Sequence, residues 1–150
     1  MDEGITIKIA GQAGQGIQTI GAALCNIFKR SGSHIFANQD YMSRIRGGNN
    51  FFQLRVCGKP IHTLRQKSDI TVALDKQSVQ LHRNDVAGGG IIVFDKAKFN
   101  LSGEDKALFN LPFYDLANSI GGSDIFINAV CCGAVAGLTQ VGPDYLERST

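Results

Sequence analysis

Residues 5–10, "ITIKIA", place isoleucine at every second position. The chain then passes through Gly11, Gly14 and Gly16, after which Ile17, Ile20, Leu24, Ile27 and Phe28 recur at helical spacing. A period of two predicts a strand with Ile5, Ile7 and Ile9 on one face, and the later spacing predicts an amphipathic helix. Gly21 falls on the apolar face of that helix, and Gly32 stands where a C-terminal stop belongs. A strand that bends through glycines directly into a helix commits the chain to an α/β arrangement.

The remaining pattern extends this frame. Residues 34–38 return as a short strand, so the opening reads as a βαβ unit whose parallel strands are joined by the helix. Residues 51–56 alternate as a further strand, Gly58-Lys59-Pro60 turns it, and residues 61–64 come back as its hairpin partner, an antiparallel insertion. "DITVAL" (69–74) and "GIIVFD" (90–95) are compact apolar runs of the kind covered on both faces, separated by the helical "KQSVQLHRN". Residues 107–112 predict a strand, 114–120 a short helix, and 125–138 a helix rich in small residues. The expectation is one α/β domain over residues 1–150, with a mostly parallel sheet flanked by helices. At the end, "GPDYLERST" opens what reads as another helix and stops after about a turn. That is either a domain cut short at the C-terminus or a natural end that frays.

A hydrophobic fraction of 43% in 150 residues suits a single core. Fifteen Lys and Arg against 13 Asp and Glu give a net charge of +2, which supplies no general attraction to nucleic acid or to an acidic membrane. Any anion site must be local. No apolar run reaches the roughly 18 residues of a membrane span, and the longest candidate, 125–138, is interrupted by Asn128 and Gly133. Cys25, Cys57, Cys131 and Cys132 form no CxxC spacing and only three histidines are present, so neither a zinc site nor an iron–sulfur cluster is expected. The four are read as buried, reduced thiols, and the start of the chain lacks a signal-peptide pattern; both point to the cytoplasm.

Chemistry at the glycine bend has a physical basis. The first amides of a helix have no internal partners, and glycines let backbone approach a phosphate closely. The spacing is GxxGxG rather than the dinucleotide GxGxxG, and no Lys-Ser or Lys-Thr follows as in a P-loop. Asp40 stands at about the distance of a ribose-binding acid, roughly 20 residues on, but beyond the second strand. Anion binding and a tight turn for close helix packing remain equal readings of the bend. In "YMSRIRGGNN" (41–50), Arg44 and Arg46 point the same way if extended and precede Gly47-Gly48. They suit a carboxylate or phosphate, although an isolated RxRGG is more often a solvated turn. His34, His62 and His82 are dispersed and are read as structural or surface residues, and Asp75 and Asp95, at strand ends, as helix caps.

In order, "GQAGQGI", "DYMSRIRGGNNFFQLRV", "SDITVALD" and "FINAVCCGAVAGL" resemble the gamma subunit or gamma domain of 2-oxoacid:ferredoxin oxidoreductases over nearly the whole chain. "SRIRGGNN" is most similar to the N-terminal domain of the 2-oxoglutarate-type alpha subunit. Ala13 departs from the family, which usually carries a second glycine before Gly14. The resemblance implies a coenzyme A platform within a complex that oxidatively decarboxylates a 2-oxoacid, pyruvate or 2-oxoglutarate among them, to acyl-CoA and reduces ferredoxin. Thiamine diphosphate, magnesium and an iron–sulfur cluster would then reside in partner domains or in alpha and beta subunits, and this chain would hold no catalytic residue. It implies that Gly11, Gln12, Ala13, Gly14, Gln15 and Gly16 hold coenzyme A, with Arg44, Arg46, Gly47, Gly48 and Asn49 forming a second lobe that grips a phosphate or docks on a partner. A stand-alone Rossmann-like nucleotide-binding oxidoreductase and a non-catalytic assembly domain are the rival readings.

Overall fold

The computed structural model describes residues 4–12, 16–41, 49–60, 67–99, 107–121 and 125–139. The alternating isoleucines form β1 (Ile5–Gln12), with Ile7 and Ile9 fully buried. α1 (Ile17–Arg30) buries Ile17, Ile20, Gly21, Leu24, Ile27 and Phe28, the stripe its spacing predicts. It stops as expected: Gly32 has φ +90°, its N–H donates to the Lys29 carbonyl, and the Ser33 N–H reaches the Phe28 carbonyl. These two bonds satisfy carbonyls that the helix end would leave bare.

The chain continues through β2 (His34–Tyr41), β3 (Asn49–Cys57), β4 (Ser68–Ala73), α2 (Lys76–His82) with a 3-10 turn (Arg83–Asp85), and β5 (Val86–Phe94). Then come α3 (Lys96–Phe99), β6 (Leu108–Asn110), α4 (Phe113–Ile120) and α5 (Ile125–Thr139). The six strands form one sheet in the order β2-β3-β1-β4-β5-β6. β1, β4, β5 and β6 pair in parallel, whereas β3 is antiparallel to both β2 and β1.

The expected α/β sheet is therefore present, with one change in its opening unit. β2 runs in the same direction as β1, as a βαβ unit requires, but β3 lies between them. The connection over residues 42–48 is too short for a crossover, so β3 returns antiparallel beside β2 and its other edge meets β1. The hairpin partner expected at residues 61–64 lies outside the described residues, and the antiparallel partners seen are β2 and β1. The single turn α3 was not expected, and the strand read over 107–112 shortens to β6. The further helix read near the C-terminus also lies outside the described residues.

The pleat divides β1 between two environments. Ile7 and Ile9 share a face with Leu54 and Phe52, their partners across the ladder to β3. α1 covers this face so closely that a Cβ on Gly21 would lie 2.5 Å from Cγ and Cδ1 of Phe52. α5 packs beside α1, with Cys132 Sγ 4.0 Å from the Ile20 carbonyl oxygen. On the other face, Lys8 stands opposite Gln53, and both are buried. No disulfide joins any of the four cysteines; Cys57, Cys131 and Cys132 are buried as read, but Cys25 is only half-buried. Burial pushes the Cys131 thiol up to about 12, with a smaller contribution from neighbouring Cys132, and Cys132 itself up to about 11. Among the described residues, no helix is long and apolar enough to cross a membrane.

Candidate functional site

The strand register assembles the site. Gln12, the last residue of β1, pairs with Asn49, the first of β3, while Tyr41 at the end of β2 pairs with Asn50. The ends that flank the glycine bend and the 42–48 hairpin connection therefore stand side by side at one edge of the sheet. β4 ends there too: Ala73 pairs with Ala10, and the Leu74 N–H donates to the Ala10 carbonyl at 2.9 Å. This is the carboxyl edge of the parallel strands, where open α/β sheets bind ligands.

Of the residues read as ligands, Gly11 is buried, Gln12 is exposed at the tip of β1, and Gly16 begins α1. Ala13, Gly14, Gln15, Arg44, Arg46, Gly47 and Gly48 lie outside the described residues. Gly16 is held at φ +84°, in the left-handed region, and offers no side-chain cap to α1, whose first turn contains no acidic residue. A helix whose cap residue carries no side chain and whose first turn holds no carboxylate suits an external anion. Gly16 is also confined by space, since a Cβ there would lie 2.8 Å from Asn128 Oδ1 of α5. Replacing Gly16 with alanine should therefore destabilise the chain by about 1–2 kcal/mol from the backbone term alone, measurable by urea unfolding. An unchanged midpoint would refute the constraint. In the sequence Asn128 figured only as an interruption of an apolar run; its polarity within that run was the available signal.

The end of β4 leads into a cap. Asp75 Oδ1 accepts the Ser78 N–H at 2.7 Å, starting α2 as expected. Asp95, after β5, accepts the N–H of Lys98 through Oδ1 and that of Tyr114 through Oδ2, both at 3.1 Å. The two carboxylates read as caps both cap.

Asn49 is fully buried, and both ends of its side-chain amide are engaged. Its Nδ2 donates to Ser78 Oγ at 2.7 Å, and its Oδ1 lies 3.0 Å from His82 Nε2. His82, also buried, packs in a T-shaped arrangement with the Phe51 ring at a centroid distance of 5.5 Å, and its Nδ1 lies 3.7 Å from Asp85 Oδ2. Lys8 Nζ lies 3.7 Å from the same Asp85 oxygen and 4.9 Å from the centre of the Phe51 ring. Burial lowers the His82 pKa to about 4, nearby Lys8 adds to that effect, and Asp85 and Asp75 oppose it. At neutral pH the imidazole is uncharged, and with Asn49 Oδ1 as acceptor its proton sits on Nε2. His82 is thus structural, as read, and joins Asn49 and Lys8 in a buried polar layer under α2.

The family model described as pyruvate ferredoxin/flavodoxin oxidoreductase matches residues 6–149. The chain belongs to this family. Among relatives of this oxidoreductase family domain, a 2-oxoacid:ferredoxin oxidoreductase subunit alpha from a Sulfolobus species is 35% identical over 89 residues. That match covers 59% of this chain and 14% of the subunit, so the chain spans a small part of that relative's length. The fold recurs in the gamma subunit of a keto/oxoacid ferredoxin oxidoreductase from Geobacter sulfurreducens PCA. The TM-score is 0.80 at 20% identity, over 97% of this chain and 83% of that one. It recurs also in the 2-oxoglutarate:ferredoxin oxidoreductase of Magnetococcus marinus, solved with 2-oxoglutarate, coenzyme A and succinyl-CoA bound. There the TM-score is 0.84 at 18% identity, over 99% of this chain and 27% of that one. The family resemblance carried by the glycine bend and the Arg-Gly-Gly segment is thereby matched along almost the entire chain.

Proposed function

We propose that this domain holds coenzyme A for a 2-oxoacid:ferredoxin oxidoreductase whose remaining machinery lies in other domains or subunits. The observation that carries this reading is the pairing of Gln12 with Asn49, which brings the flanks of both signature segments to one sheet edge. The start of α1, where Gly16 sits in the left-handed region and supplies no side-chain cap, fits a pyrophosphate there: amides supply donors and the helix dipole favours the charge. Gly11 to Gly16 would hold the pyrophosphate through backbone, and Arg44 and Arg46 would supply charge from the adjacent hairpin connection. Coenzyme A, once bound, contributes the thiol that takes the acyl group. This chain's part is to hold and orient it, and we assign it no catalytic residue. The coenzyme A and succinyl-CoA present in the Magnetococcus marinus enzyme support the same ligand class.

Thiamine diphosphate, magnesium and an iron–sulfur cluster belong, on this reading, to the alpha and beta partners, and ferredoxin receives the electrons of the whole complex. Calorimetric titration of the assembled complex with coenzyme A tests the assignment. Gly14→Asp should weaken binding by at least about tenfold, because it places a carboxylate at the bend where the pyrophosphate would sit. An unchanged affinity would remove the bend from the coenzyme A site.

A further inference from the structure

We propose, building on the coenzyme A reading, that Asn49 is a positioning residue: its buried amide clamps the start of β3 to the first turn of α2 and so holds the ligand-binding edge together. A residue that reached a ligand with its side chain would present that side chain to the edge, and Asn49 is 0% exposed. Its Nδ2 and Oδ1 are both engaged within α2, by Ser78 at 2.7 Å and by His82 at 3.0 Å. Its backbone pairs with Gln12, which leads into the glycine bend, and it is the first residue after Gly47-Gly48. Ser78 in turn donates its own N–H to Asp75, at the end of β4. One residue, its backbone paired with β1 and its side chain bonded to α2, therefore links β1, β3 and the β4–α2 turn, the three segments that converge at the edge.

Truncation of Asn49 leaves Ser78 Oγ and His82 Nε2 without this partner in a site that water does not reach, and it removes the hydrogen bonds between the start of β3 and α2, leaving the Phe51–His82 ring contact. The alignment of the two flanks would then be set by the backbone ladder and this less directional ring contact. Affinity for a ligand gripped from both sides depends on that spacing being fixed before binding.

The test uses the assembled complex, with coenzyme A affinity measured by calorimetry and thermal unfolding recorded without ligand. Asn49→Ala should raise the Kd for coenzyme A about tenfold at a temperature where the complex is fully folded. Val135→Ala, which removes methyls from the core on α5, should lower the unfolding temperature and leave that Kd unchanged. A Kd for Asn49→Ala within about twofold of the parent, or a rise equally large in Val135→Ala, overturns the proposal. If Asn49→Ala does not fold, Ser78→Ala takes its place, removing one of the two bonds and raising the Kd in the same direction; an unchanged Kd there overturns it equally. Gly14→Asp is measured alongside. If its Kd is unchanged, the bend is not part of the coenzyme A site and the premise of the clamp fails; if Gly14→Asp weakens binding while Asn49→Ala does not, only the clamp is lost.

Discussion

Acidification from neutrality to about pH 4 is expected to remove about 3 kcal/mol of folding stability through His82 alone. The imidazole is buried against Asn49 and Phe51, with Lys8 of β1 beside it and the carboxylates of Asp85 and Asp75 on the opposing side of the balance. Burial holds its folded pKa at about 4, below the ordinary 6.5. Between those values the unfolded chain binds a proton that the folded chain refuses. Stability therefore rises with pH through this window, is complete above the unfolded value, and is lost as pH falls toward the folded one. Other carboxylates titrate in the same range, so the decisive quantity is a difference between variants. His82→Gln, which cannot titrate, should show an unfolding free energy that falls less steeply between neutrality and acid than the parent's. Parallel curves for the two proteins would sink the assignment.

Gly21→Val is expected to cost about 3 kcal/mol, in the opposite direction from what helix propensity predicts. In an exposed helix interior, removing glycine gains up to about 1 kcal/mol. Here an added Cβ would meet Cγ and Cδ1 of Phe52 at 2.5 Å and Cδ2 at 2.8 Å. Cγ is attached directly to the Phe52 Cβ, so rotation of the ring about its own axis relieves nothing. Either the whole side chain changes rotamer or α1 lifts from the sheet. Gly21→Ala should cost less than valine, since it adds one methyl and gains more helix propensity. Adding Phe52→Ala to Gly21→Val should recover part of the loss, a coupling of at least about 0.5 kcal/mol in a double-mutant cycle. Additive losses would show that the two residues do not share the contact.

The contrast between Gly32 and Gly21 shows what the sequence alone discloses. A helix stop follows a local rule, so Gly32 was legible from its position after Phe28, as Asp75 was from its position before α2. Gly21 could be placed on the apolar face, but its partner Phe52 comes from a strand whose location depends on pairing far along the chain. The same limit applies to the sheet. Residues 34–38 were recognisable as a strand, yet nothing local states that β3 will separate it from β1. That arrangement follows from the hairpin between β2 and β3, whose second edge is free to meet β1. In the candidate site, the bend was readable from its glycines, whereas the union of Asn49 with Ser78 and His82 joins residues distant in sequence and needs the fold to appear.

Lys8 gives this layer one further consequence. It occupies the middle of β1, 3% exposed, between two isoleucines that face α1, while its own side chain reaches Asp85 on the opposite side of the sheet. A slip of β1 by a single residue would exchange the two faces, driving the ammonium into the apolar layer beneath α1 and turning Ile7 and Ile9 toward Asp85 and His82. Burial lowers the pKa of Lys8, a sign that the charge is held at an energetic cost that the ion pair only partly offsets. The cost is matched by selectivity: the charge excludes a one-residue slip of β1 against β3 and β4. Because a one-residue slip would part Gln12 from Asn49, a lysine in the middle of β1 helps decide where the glycine bend begins.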